Sequence, residues 1–216
     1  LVLTAFNLAE RAGPSPELMR GYANMCATFS SINLLRPADL YQRLALATAA
    51  QVDDPAALAW IQIPLNNYSL AIGERERAEQ EVNIALDLFS RLGEWRLWCV
   101  AAWFRPQAVQ FKGELGRAQA LWAELINVAL RSNDTRHQVR GNGGQFFNHL
   151  ALGNTAAALA SLDAVAAIIA ENPEMTGVEE QLWHGMNAVS ALLRGDYERA
   201  AASAREHLVA NSRNRF

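Results

Sequence analysis

Gly73-Glu-Arg-Glu-Arg-Ala78 is followed forty residues later by Gly113-Glu-Leu-Gly-Arg-Ala118, and then by Gly153-Asn-Thr-Ala-Ala-Ala158 and Gly195-Asp-Tyr-Glu-Arg-Ala200. A weaker copy, Asn33-Leu-Leu-Arg-Pro-Ala38, stands one period earlier, so the spacings run 40, 40, 40 and 42 residues. A fixed period of this length is the mark of a repeat architecture, in which each unit is too small to bury its own apolar face and stacks on the next.

The residues after each Ala set the phase. Ala78, Val82, Ala85, Leu86 and Phe89 recur as Ala118, Trp122, Leu125, Ile126 and Ala129, and again as Ala158, Leu162, Val165, Ala166 and Ile169. Offsets of 0, 4, 7, 8 and 11 place all five on one face of a helix. The first unit (Ala38, Gln42, Ala45, Leu46, Ala49) and the last (Ala200, Ala204, His207, Leu208, Asn211) keep the phase with polar substitutions. Those weaker faces fall where fewer neighbours cover them.

Boundary signals agree. Ser15-Pro16 and Asp54-Pro55 put a capping side chain before a proline at the first helical position, where the missing N–H costs nothing. Thr176-Gly-Val-Glu179 has the spacing of a capping box, and Gly93 stands where a left-handed residue stops a helix. Helix hairpins are therefore expected at 15–51, 55–92, 94–132, 135–171 and 176–211, after a helix at 1–12 that is already under way when the chain begins. Connections are short, so successive helices run antiparallel. No Pro, Gly or Ser linker divides the chain, so residues 1–216 read as one domain, and the mid-pattern opening reads as a fragment of a larger protein.

Composition supports helix and excludes several function classes. Hydrophobic residues make up 51% and charged residues 19%, with net charge −3. Nucleic-acid binders concentrate positive charge to neutralise phosphates, and no such block occurs here. No apolar run is long enough for a membrane span, and no signal peptide opens the chain. Lys112 is the sole lysine among the basic side chains, the coding bias of a GC-rich, bacterial genome. Cys26 and Cys99 form no CxxC: they are either two buried thiols, which suits the cytoplasm, or one disulfide.

The Gly-x-x-x-x-Ala step, with an apolar residue four after the Ala, resembles the hinge between helices A and B of a tetratricopeptide repeat (TPR). That family repeats every 34 residues; the longer period here implies longer helices. The resemblance implies an all-α fold, a right-handed α-solenoid of antiparallel helix hairpins. Phrases such as Asp53-Asp54-Pro55, Leu92-Gly93-Glu94 and Leu150-Ala-Leu-Gly153, with Trp-rich A helices, are similar to the C-terminal helical region of large bacterial signalling ATPases. These include LuxR-type regulators and nucleotide cyclases with an ATP-binding module. There the region is a sensor or docking arm, while catalysis or DNA binding resides elsewhere.

Catalytic patterns are missing. Arg140-Gly-Asn-Gly-Gly-Gln145 lacks the GxxxxGK[ST] phosphate loop, and neither HExxH nor GxSxG occurs. Three glycines there suggest either a helix packed closely by a neighbour or one that breaks. Pro64 and Pro106 fall inside predicted A helices and are expected to kink them. Glu180 and His184 share a face without a second carboxylate–His pair, so no metal and no cofactor is implied. Glu171, Glu174, Glu179 and Glu180 read as a solvated acidic surface.

By the TPR resemblance, counting back from each hinge Gly gives the residues of the concave face. They are Trp60, Ile63, Asn67 and Leu70 in the second unit, and Val100, Trp103, Gln107 and Gln110 in the third. The fourth contributes Arg140, Gly143, Phe147 and Leu150. Aromatics beside amides and one arginine suit a recognition groove. The expected function is non-catalytic: binding a protein, peptide or small-molecule ligand on that face, without direct contact to nucleic acid or membrane. The alternative is a purely structural or self-association arm.

Overall fold

The computed structural model describes residues 10–213. Most of the helix expected at 1–12 lies outside the described residues; its last three, 10–12, are helical. The chain then forms α1 (Pro16–Ser31), α2 (Leu35–Ala49), α3 (Pro55–Ala71), α4 (Arg75–Leu92), α5 (Trp95–Gln110), α6 (Leu115–Arg131), α7 (Thr135–Ala151), α8 (Thr155–Glu171), α9 (Val178–Leu193) and α10 (Tyr197–Arg213). Among the described residues all regular structure is helical, and no helix is long and apolar enough to cross a membrane. The helices fall into two compact units, one ending at Gly113 and the other beginning at Glu114.

The turns explain the repeat. Gly73, Gly113, Gly153 and Gly195 take φ values of 83°, 82°, 75° and 74°, and Asn33 in the weaker copy takes 58°. A left-handed residue turns the backbone so that the next N–H reaches the carbonyl five residues back, which the helix end leaves without a partner. Glu74 N donates to Ser69 O at 2.8 Å, Asn154 N to His149 O at 2.8 Å and Asp196 N to Ala191 O at 2.9 Å. The same closure recurs between hairpins, after Gly93 (φ 71°) and Asn133 (φ 51°). Helix starts are capped as the sequence indicates: Ser15 Oγ accepts from Leu18 N at 3.2 Å, and Asp54 Oδ1 accepts from Ala57 N at 3.0 Å.

Each elbow brings its Ala into the interior. Ala38, Ala78, Ala118 and Ala158 are 0% exposed and Ala200 is 5%. In the first unit α1 packs on α2, α3 on α4, and α3 bridges α1 and α5. Its core joins Met19, Cys26, Ala45, Ile61 and Leu65, and Phe29 stacks on Tyr41 with ring centroids 5.6 Å apart. In the second unit α7 packs on α6, α8 and α9, around Val139, Phe146, Val165 and Met186. The weaker first face, expected to be less covered, is buried at Ala38, Gln42 and Ala45, and only Leu46 on it is exposed. Cys26 and Cys99 are buried and joined in no disulfide, and burial pushes the Cys26 thiol pKa up to about 11.

The expected breakers do not break helices. α3 runs through Pro64 and α5 through Pro106, both buried, and α7 is continuous across Gly141–Gly144. There the glycines serve close packing. A Cβ on Gly141 would stand 2.6 Å from Ile126 Cγ1, and one on Gly144 would stand 2.5 Å from Trp122 Cδ2. Helices α6 and α7 are in contact where a side chain would otherwise separate them. Three substitutions separate the causes, read as chemical denaturation midpoints. Gly153→Ala meets no neighbour but forces a left-handed alanine, costing about 1–2 kcal/mol. Gly144→Ala collides with the indole and costs about 1–3 kcal/mol. Gly116→Ala, with open space and ordinary helical geometry, gains about 0.5 kcal/mol.

Candidate functional site

In the first unit, Trp60, Ile63 and Asn67 project from α3, and Trp103, Gln107 and Gln110 from α5, which packs against it. Ile63 is only 6% exposed, so it belongs to the interior and offers a partner almost nothing. The other five are half-buried. Trp103 meets Phe104 edge-on at 4.9 Å, and Gln107 Nε2 donates to Trp103 O at 2.8 Å along the helix. Of these six only Asn67 lines a surface cavity of about 410 Å³, together with Leu70, Ser30, Ser31, Arg75 and Phe111. Asn67 and Arg75 make no side-chain hydrogen bond or ion pair among the described residues. Phe111 is 60% exposed. The cavity therefore offers one amide, one guanidinium, two serine hydroxyls that donate to their own helix, and the apolar Leu70 and Phe111.

In the second unit, Phe147 is an exposed ring on α7, edge-on to the buried Phe146 at 5.0 Å. Arg140 departs from the expectation of a groove arginine. Its Nε donates to Glu179 Oε1 at 2.6 Å, and Arg136 Nη1 donates to Glu179 Oε2 at 2.7 Å. Glu179 is 0% exposed. It is neither a solvated surface acid nor half of a capping box: α9 starts at Gly177 (φ 89°) with no side-chain cap. A carboxylate taken out of water needs opposite charge at hydrogen-bond range, and two arginines one turn apart on α7 provide it.

His137 extends this cluster. Its Nδ1 lies 2.7 Å from Asp134 Oδ2, and its Nε2 lies 3.5 Å from Arg140 Nη1. A proton on Nδ1 leaves Nε2 facing the guanidinium, so the neutral ring fits. Burial first, with Arg140 adding to it, lowers the His137 pKa against the opposing pull of Asp134.

No family model matches the chain, and no curated protein does. Solved structures do. BtubC (BKLC) from P. vanneervenii is 14% identical with a TM-score of 0.70, over 98% of this chain and 87% of that one. A kinesin light chain-like protein of Podosopora anserina, with nearly identical TPR-like repeats, is 11% identical with a TM-score of 0.62. That match covers 93% of this chain and 98% of the other; a singly substituted form gives 13% identity and 0.66, over 92% and 96%. The fold is TPR-like. At such low identity the likeness concerns architecture alone, and it agrees with the hinge glycines and buried alanines of this TPR-like chain.

From sequence, Glu179 and Arg140 take other roles and their pairing is missed, although a signal exists. Arg136 and Arg140 precede Glu179 by 43 and 39 positions, about one repeat period. Opposite charges one period apart on successive A helices are candidates for a bond between repeats. Among the described residues no group of three or more His, Cys, Asp or Glu is placed to hold a metal. Glu179→Ala strands two guanidinium groups and is expected to cost about 3–5 kcal/mol in denaturant unfolding. His137 has a folded pKa below the ordinary 6.5. Its contribution is thus complete above that value and lost as pH falls through the folded pKa, because the unfolded state takes up the proton first. His137→Asn is expected to flatten the acid side of the stability–pH curve below 6.5.

Proposed function

We propose that this chain is a non-catalytic helical-repeat module that binds a peptide segment of a protein partner on its A-helix face. Its place is as the sensor or docking arm of a bacterial signalling or transcription regulator in the cytoplasm, with residues 1–216 acting as one domain. The observation that carries the reading is the open cavity of about 410 Å³ at the C-terminal end of α3, which Asn67 of the A-helix face lines. Its unpartnered Asn67 and Arg75 stand next to the exposed Phe111 ring. Apolar area provides affinity, and a few directional polar groups fix register and choice. An amide can bond the backbone of an extended peptide, and an unpaired guanidinium prefers an acidic side chain. Half-buried Trp60 and Trp103 fit the aromatic anchors that dominate such surfaces.

The fold favours this use. Stacked hairpins present successive A helices side by side, so a bound segment can contact several repeats at once. Selection of a random-peptide library on the whole chain is expected to enrich sequences with apolar residues flanking an acidic one. Trp103→Ala with Gln107→Ala, or Arg75→Ala with Asn67→Ala, is expected to abolish capture. Thermal midpoints should stay within roughly 2–4 °C, the equivalent of about 1 kcal/mol. No enrichment, or loss of fold together with capture, would reject the reading.

A further inference from the structure

We propose that the second unit carries a separate binding site for a small zwitterion, an amine and a carboxylate held on an apolar body, as in an apolar α-amino acid. The site is a cavity of about 460 Å³ where α8, α9 and the start of α10 meet. Its volume falls within the roughly 300–1,000 Å³ of small-molecule pockets. The apolar wall is the half-buried Trp183 with Leu162 and Ala191.

Four of the polar side chains around it are uncommitted, and two are committed in part. Ser190 is 4% exposed, lines the cavity, and its hydroxyl makes no hydrogen bond among the described residues. A buried hydroxyl normally finds a partner, so one that faces a cavity is provided for whatever fills it. Asp163, Arg194 and Arg199 also line the cavity and form no ion pair among the described residues. Asp196 uses Oδ1 to accept from Arg199 N at 3.0 Å, which fixes the first turn of α10 and with it the position of Arg199. Asn187 donates through Nδ2 to Trp183 O at 2.9 Å, which leaves its carbonyl oxygen as an acceptor.

Charge selects the ligand class. Two carboxylates and two guanidinium groups sum to zero, so a simple anion or cation would leave one sign unmatched. Phosphorylated ligands would face Asp163 and Asp196 as well as the arginines. A zwitterion matches both: Arg194 and Arg199 take its carboxylate, which a planar guanidinium can bind through two parallel hydrogen bonds. Asp163 and the Asn187 oxygen take its ammonium, Ser190 bonds to either end, and Trp183 packs on the apolar body. This site stands apart from the groove of the first unit and does not depend on it.

Isothermal titration calorimetry of the whole chain tests the proposal, with L-leucine, L-phenylalanine and L-methionine as probes. Saturable binding is expected from at least one of them. Blocking either charge of that amino acid, as the N-acetyl derivative or the amide, should weaken it about tenfold or more, since each leaves a charged group without its partner. Arg199→Gln and Asp163→Asn, both at exposed positions, are expected to weaken it similarly while far-ultraviolet circular dichroism stays unchanged. Trp103→Ala with Gln107→Ala should leave it intact, so failure of the groove and failure of this cavity are read separately. No saturable heat with any of the three probes, equal binding of blocked and free forms, or parent-like affinity in both variants would overturn the proposal.

Discussion

Two helices can approach only as closely as the side chains between them permit, and at every elbow of this chain that side chain is a methyl group. Ala38, Ala78, Ala118 and Ala158 have no exposed surface, and Ala200 has almost none. The approach is possible because the residue five positions earlier adopts a left-handed backbone, which ends one helix and lets the next begin within two residues. Glycine takes this conformation without strain, and asparagine is the usual second choice. Asn33 occupies it at the elbow before Ala38, and Asn133 does so at a turn between hairpins. Larger side chains then fill the space along the succeeding helix face, as Val82, Phe89, Leu125 and Val165 do.

The interior is not uniformly apolar. Glu81 is 6% exposed, accepts from Ser69 Oγ at 2.7 Å and pairs with Arg77 at 3.0 Å, while its burial raises its pKa. Lys112 reaches Glu79 at 2.7 Å. Glu179 is the extreme case, with both oxygens committed to arginines of α7. Such groups join elements that the apolar stripes alone would leave free to slide, because a charge in a low-dielectric interior tolerates few alternative arrangements. The surfaces proposed for recognition are two where polar groups remain uncommitted, near Asn67 and Arg75 in one unit and around Asp163, Arg194 and Arg199 in the other.

Of the twelve positions counted back from the hinges, Ile63 and Gly143 are buried and Arg140 is held by Glu179, while the other nine retain exposure. Counting back from the hinge locates a residue on the helix surface but does not report what lies opposite. Ile63 has the same helical offset as an exposed position would have; α3 is simply covered on both sides, by α1 and α4. The glycines of α7 are similar. Their number suggested either a break or close packing, and only the position of Trp122 and Ile126 on α6 decides for packing.

Helix limits, elbows, the caps at Ser15 and Asp54 and the buried Ala series were determined by the amino-acid sequence alone, since each rests on contacts within about five residues, where local backbone preference and helical spacing suffice. The pairing of Arg136 and Arg140 with Glu179, the withdrawal of Ile63, and the two cavities with their unpaired polar groups were decided by tertiary structure. They bring together residues a repeat or more apart, or on helices that share no turn. Burial and charge pairing are properties of the packed neighbourhood, and the order of residues along one helix does not contain it.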